Sequence, residues 1–309
     1  MPYAMFLGCQ IPSLAPQYEK ASRLVLKRLE VGVTDMEFNC CGYPMRHQHF
    51  HTYLLAAARN LALAESKGLD LLTLCKCCLG SLRRAQEFLA TQPELLREVQ
   101  KDLEREGLTY HGRAKVKHLQ TVLHDDIGKE AITKALSRSL QGLKVATLYG
   151  CHALRPSRIT GFDPNPYHPT LIEDLLELTG AQALAWDGKL KCCGAPLRER
   201  NEELSLAVIG QRFAECQRAG ADVLNVDCPH TLLQIKWAFK QLWPDSANQL
   251  RGVALYPQLL GLALGIPPAE LGLDENRPRS SFLANYLSPS LPKAAPAKPK
   301  KAAGAPART

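Results

Sequence analysis

The chain has 309 residues, 46% of them apolar, eleven cysteines and a formal net charge of +8. That length suffices for one large core or two smaller ones, and no run reaches the roughly eighteen uncharged apolar residues of a membrane helix. Five cations (Lys293, Lys298, Lys300, Lys301 and Arg308) stand in the acid-free end 288–309; the remainder carries only +3 and shows no basic, aromatic-interleaved stripe of a nucleic-acid binder.

The opening residues, MPYAMFLGCQIP, lack the basic n-region and small-residue cleavage site of a signal peptide, so a cytoplasmic compartment is expected. Within them Ala4–Leu7 reads as a short strand ending at Gly8-Cys9. Cys40-Cys41-Gly42 follows, and just past it His47, His49 and His51 alternate without a metal-ligand partner spacing; they read as loop or substrate-pocket residues. Tyr53–Ser66 has a helical pattern, Leu71–Leu74 reads as a strand stopping before Cys75-x-x-Cys78, and Leu82–Leu89 reads as the helix after it. The segment 85–142, rich in Leu, Glu, Lys and Arg, is expected to be a helical insert or connector.

The pattern then repeats. Lys144–Tyr149 is a strand-like run ending at Gly150-Cys151, followed by Cys192-Cys193-Gly194, a helix over Leu204–Ala219, a strand over Val223–Val226, Cys228-x-x-Thr231 and a helix over Leu232–Leu242. A closing strand and helix are expected over 252–265, and the Pro/Ala/Lys-rich end 288–309 is expected to be disordered. Thirty-three residues separate Cys41 from Cys75 and 34 separate Cys193 from Cys228, an agreement that points to internal duplication. The organisation is thus a first module over 1–84, the connector 85–142, a second module over 143–287 and the tail. Strands alternating with helices predict an α/β fold with small parallel sheets, with Cys9, Cys75, Cys151 and Cys228 at the strands' carboxyl ends, where helix N-termini favour anionic groups.

Cytosolic thiols are kept reduced, so disulfide stapling is not the expected use of these cysteines. Adjacent cysteines on an extended chain point to opposite sides; a following glycine implies a sharp turn that lets both address one polynuclear cluster. The first module offers five thiols, Cys9, Cys40, Cys41, Cys75 and Cys78, one more than an ordinary four-iron cluster or a structural zinc site uses. Cys77 and Cys216 fall outside the pattern: Cys77 reads as a bystander, with a resolving thiol as the alternative, and Cys216 as core.

The pattern C…CCG…CxxC resembles the CCG domain, duplicated in the B-type subunits of heterodisulfide reductases. The likeness covers about residues 3–265 and includes CHALRPSRITGFDPNPYHPTLIEDLLELTGA, ARNLALAESKGLD and KVKHLQTVLHDDIG. It implies a noncubane four-iron cluster on Cys9, Cys40, Cys41, Cys75 and Cys78, with Cys41 and Cys78 at the reacting cluster. The second module supplies Cys151, Cys192, Cys193 and Cys228 but has Thr231 where the fifth cysteine belongs. A hydroxyl is a poor iron ligand beside thiolate. An iron–sulfur cluster of another type is therefore expected there, zinc being the less favoured alternative and His230 a candidate substitute ligand. His152, adjacent to Cys151, is a candidate proton handler.

The resemblance implies an oxidoreductase component that makes or breaks a sulfur–sulfur bond at its clusters. The chain has no CxxCxxCxxxC ferredoxin motif, GxGxxG or P-loop, so the expected partners are a ferredoxin-like C-type subunit and a flavoprotein A-type subunit. Family members act on the coenzyme M–coenzyme B heterodisulfide or, in bacterial sulfur-oxidising complexes, with lipoate-bound sulfur; the altered second module and the tail favour the bacterial kind. The alternative is an electron-transfer subunit of a lactate, glycerol-3-phosphate or succinate oxidoreductase, without a substrate site of its own.

Overall fold

Short runs such as YAMF and VLNV carry apolar residues on both faces, a pattern that suits parallel strands covered on both sides. In the computed structural model, which describes residues 2–242 and 251–287, they form the centres of two separate sheets. The first contains β1 (Tyr3–Phe6), β2 (Val33–Thr34), β3 (Asp70–Thr73) and β4 (Val116–His118), in the order β2-β1-β3-β4. The second contains β5 (Lys144–Leu148), β6 (Gln182–Ala183), β7 (Val223–Val226) and β8 (Gly252–Ala254), in the order β6-β5-β7-β8. All pairings are parallel, and the registers correspond: Tyr3 faces Asp70 in one sheet as Val145 faces Val223 in the other.

The helices follow the expected layout and extend it. Phe50–Ser66 and Glu202–Arg218 occupy equivalent places before β3 and β7; the second is capped by Asn201, whose side chain accepts from the Leu204 amide at 2.9 Å. Lys76–Thr91 and Pro229–Leu242 begin directly after Cys75 and Cys228, six and three residues ahead of the expected starts at Leu82 and Leu232. The closing strand and helix expected over 252–265 are β8 and Tyr256–Ala263.

One expectation needs correction. The segment 85–142 is not a purely helical connector: after the end of the Lys76–Thr91 helix and a helix over Pro93–Leu103, it supplies β4, which completes the first sheet by pairing with β3. Val116 and His118 are buried by that pairing, and the Lys115 amide donates to Asp70 at 2.8 Å just outside it. The tail 288–309 lies outside the described residues, as does the stretch 243–250. Among the described residues no helix is long and apolar enough to cross a membrane.

The modules meet through buried polar contacts as well as apolar ones. Lys76, fully buried, donates from Nζ to the Tyr149 carbonyl at 2.8 Å, and Asp227 accepts from Gln120 at 2.5 Å, from Asn225 at 3.0 Å and from the Tyr256 amide at 2.7 Å. Burial lowers the pKa of Lys76 and raises that of Asp227, as desolvation of charge requires.

Candidate functional site

Each Cys-Cys-Gly triplet turns where its glycine adopts the left-handed region, φ +79° at Gly42 and φ +80° at Gly194, followed by one 3₁₀ turn, Tyr43–Met45 or Ala195–Leu197. A Cβ on Gly42 would stand 2.7 Å from the Tyr53 carbonyl oxygen, so no side chain fits there. The turn is tied from behind. Asn60, fully buried, donates to the Cys40 carbonyl at 3.2 Å, and Ser81 donates to the Cys41 carbonyl at 3.1 Å. In the second module Ser205 donates to the Gly194 carbonyl at 3.0 Å and itself accepts from Gln234 at 2.8 Å.

Cys9, Cys40, Cys41, Cys75 and Cys78 all line one small cavity, with the Cys9 and Cys40 sulfurs 4.0 Å apart. Cys75 caps the Lys76–Thr91 helix, its sulfur accepting from the Cys78 amide at 3.4 Å. Cys151, Cys192, Cys193 and Cys228 line a second cavity of about 890 Å³ between the modules. There the Gly194 amide donates to the Cys192 sulfur at 3.3 Å. Hydrogen bonding from Cys193 pulls the Cys192 thiol down to about 6, and hydrogen bonding from Cys77 lowers both Cys75 and Cys228 against the opposing effect of burial. Hydrogen bonding to a neighbouring sulfur, with burial, pushes Cys40, Cys77, Cys78 and Cys193 up, and burial pushes Cys151 up, so the thiolate form is favoured at some of these cysteines and the neutral thiol at the others.

Two residues cross between the modules. Cys77, expected to be a bystander, is buried with its sulfur 4.0 Å from that of Cys228 and lines both cavities. His230, a candidate ligand for the second site, also lines the first cavity, where its Nδ1 lies 3.5 Å from the Gln10 amide nitrogen and its ring 6.1 Å from that of Tyr43. Both occupy the third position of their loops, Cys75-x-x-Cys78 and Cys228-x-x-Thr231. Thr231 is buried and lines the large cavity with Cys193.

His152 stands between the sites: Nδ1 is 3.1 Å from the Cys77 sulfur and Nε2 is 3.4 Å from the Tyr43 hydroxyl. Its helix lies close against the one after Cys75, because Gly80 there faces the His152 carbonyl without a side chain. His47 and His49 are exposed and His51 pairs with Asp102 at 2.8 Å; none of the three lines either cysteine cavity. Cys216 is fully buried in the core, as expected.

Sequence reasoning missed Lys76, Tyr43 and His118. His118 is fully buried and bonded to the Leu74 carbonyl at 3.0 Å, just ahead of Cys75; burial, with the Lys76 charge adding, lowers its pKa to about 3. A lysine between cysteines in the run CKCC is the one signal that pointed there.

A family model described as a cysteine-rich domain, CCG, matches residues 3–83 and 145–236. The chain is 35% identical, over 88% of its length and 92% of the relative's, to the B-type subunit of the ferredoxin/F420H2-dependent CoB-CoM heterodisulfide reductase of Methanosarcina acetivorans. It is 30% identical, over 92% of its length and 98% of the relative's, to a protein of Archaeoglobus profundus described as like the B-type subunit of heterodisulfide reductase. The 8-methylmenaquinol:fumarate reductase membrane anchor subunit of Wolinella succinogenes is 31% identical over 89% of this chain and 96% of its own. A crystal structure of a hypothetical protein from Helicobacter pylori superimposes with a TM-score of 0.71 at 19% identity over 91% of this chain and 52% of that one, which shows a shared fold alone.

Proposed function

This chain belongs to the cysteine-rich CCG domain family, among the relatives of the heterodisulfide reductase B-type subunits, and we propose that it is the component of an oxidoreductase complex in which a sulfur–sulfur bond is made or broken at iron–sulfur clusters. The observation that carries this reading is the pair of cysteine-lined cavities meeting at Cys77, Tyr43 and His230.

The donor sets suit clusters better than single ions. Six cysteines line the first cavity, Cys77 among them, and four from the second module line the other, more thiols at each than scattered core cysteines would gather. Cys9, Cys40, Cys41, Cys75 and Cys78 would hold a noncubane four-iron cluster, and Cys151, Cys192, Cys193 and Cys228 a second cluster. When bound, such clusters supply one-electron redox chemistry and iron able to bind sulfur.

The chain's own residues would do the rest. The large cavity is of a size for a small organic ligand, and Lys191, Arg198, Lys236, Lys240 and Arg277 outnumber Glu199 and Glu275 along its lining, which favours an anionic thiol or disulfide, lipoate-bound sulfur included. His152, between Cys77 and Tyr43, would hold a proton for a departing thiol sulfur. Electrons would pass between the site and a flavoprotein A-type subunit through a ferredoxin-like C-type subunit, in a cytoplasmic complex of the bacterial sulfur-oxidising kind.

The test is anaerobic purification with iron, sulfide and zinc quantification, followed by electron paramagnetic resonance with and without added thiol or disulfide. A thiol-dependent change in the cluster signal is expected. A second reading, an electron-transfer subunit with no substrate site, has support from the likeness to the fumarate reductase subunit; a cluster signal indifferent to every thiol and disulfide tried would favour it.

A further inference from the structure

We propose that Cys77, although it belongs to the first module, is the fifth thiolate of the second module's cluster, standing in for the cysteine that Thr231 replaces. The inference rests on the reading of the second cavity as a cluster site and adds a ligand that spacing within the module cannot provide.

Three observations carry it. The Cys77 sulfur is 4.0 Å from that of Cys228, the same separation as between Cys9 and Cys40 in the first site. Cys77 also lines the large cavity together with Cys151, Cys192 and Cys193, so all five sulfurs border one space. Thr231 meanwhile lines the same cavity, buried, and offers only a hydroxyl, too hard and too weakly acidic to compete with thiolate for iron.

The duplicated architecture explains how a first-module residue arrives there. The loops Cys75-x-x-Cys78 and Cys228-x-x-Thr231 lie against each other, and each turns its third residue toward the other module: His230 toward Gln10 and Tyr43, Cys77 toward Cys228 and His152. With Cys75 and Cys78 on the first site and Cys77 on the second, a single helical turn carries ligands to both. Ligation exchanges the S–H bond of Cys77 for an S–Fe bond, and the proton leaves through the open cavity. The thiolate then accepts a hydrogen bond from Nδ1–H of His152, 3.1 Å away, the kind of outer contact that orients a metal ligand.

The experiment is Cys77→Ser in the full-length chain, with Cys216→Ser as a control for loss of a buried thiol and Cys77→Ser/Thr231→Cys as the rescue. Iron and acid-labile sulfide per chain are measured after anaerobic reconstitution, with Mössbauer and paramagnetic spectra. Cys77→Ser is expected to change or lose the second site's signature, with iron falling by up to about half, while the first site's signature persists; the double variant recovers the second signature and any lost iron, and Cys216→Ser matches wild type. Wild-type iron content with both signatures intact in Cys77→Ser overturns the assignment and leaves the two-cluster reading standing. So does a double variant that folds but fails to recover the second cluster. If wild-type protein carries only the first cluster, the two-cluster reading falls and this ligand with it.

Discussion

Gly80 offers a direct measure of how closely the two sites are pressed together. An added Cβ would lie 2.9 Å from the His152 carbonyl oxygen and 3.7 Å from the His152 Cβ, closer to backbone than side-chain carbons pack, with no flexible end to give way. Gly80→Ala should gain about 1 kcal/mol of helix propensity and lose about 1–3 kcal/mol to overpacking. Gly210 provides the comparison: it is also within a long helix, and among the described residues its Cβ would meet only Leu242 Cδ1 at 3.4 Å, an ordinary contact. Gly210→Ala should therefore keep its gain of about 1 kcal/mol. The two variants differ by about 1–3 kcal/mol, roughly 2–12 °C in Tm at the 2–4 °C per kcal/mol typical of chains this large. Thermal unfolding of the loaded protein under anaerobic conditions measures this, and iron content reports whether the shift of His152 carries Cys151 with it. A Gly80→Ala protein as stable as Gly210→Ala, with full iron, would refute the tight approach of the two helices.

The remaining predictions concern the ligands, the buried histidine and the cavity rim. Cys41→Ala or Cys78→Ala should abolish the first site's spectroscopic signature, and an unchanged spectrum in either would mean that the noncubane cluster lies elsewhere. His118 is held neutral when folded, at about 3, while the unfolded chain protonates it below about 6.5. Its contribution is therefore intact above pH 6.5 and declines by about 1.4 kcal/mol per unit as pH falls from there toward 3. His118→Gln should accordingly flatten the dependence of urea stability on pH between 6.5 and 5, and parallel slopes for variant and wild type would contradict this. Lys236→Glu, on the exposed rim of the large cavity, should weaken an anionic thiol or disulfide by about fivefold at low salt, corresponding to roughly 1 kcal/mol, with the difference shrinking as ionic strength rises; equal affinity in variant and wild type would speak against an anionic ligand.

The repeat, the parallel α/β architecture and the cysteine positions at the strand ends were legible in the sequence, because each depends on local pattern. Strands buried on both faces are written as apolar runs, and the Cys-Cys-Gly turns need the left-handed conformation that glycine permits. The observed strands Tyr3–Phe6, Asp70–Thr73, Lys144–Leu148 and Val223–Val226 lie within one residue of the sequence expectation at each end. β4 was not legible: its three residues, Val-Lys-His, sit in a polar segment, and they form a strand only because β3 presents an open edge to them.

The amino-acid sequence by itself determined which thiols belong to each module and that Thr231 breaks the second set, since both follow from spacing within one stretch of chain. Only the tertiary structure decided that Cys77 turns toward Cys228, that His230 turns toward Gln10 and that Lys76 is buried against Tyr149. Those contacts join residues 73 to 220 positions apart. No periodicity encodes them; they arise from how two folded modules bury their facing surfaces, where most polar groups removed from water find a partner.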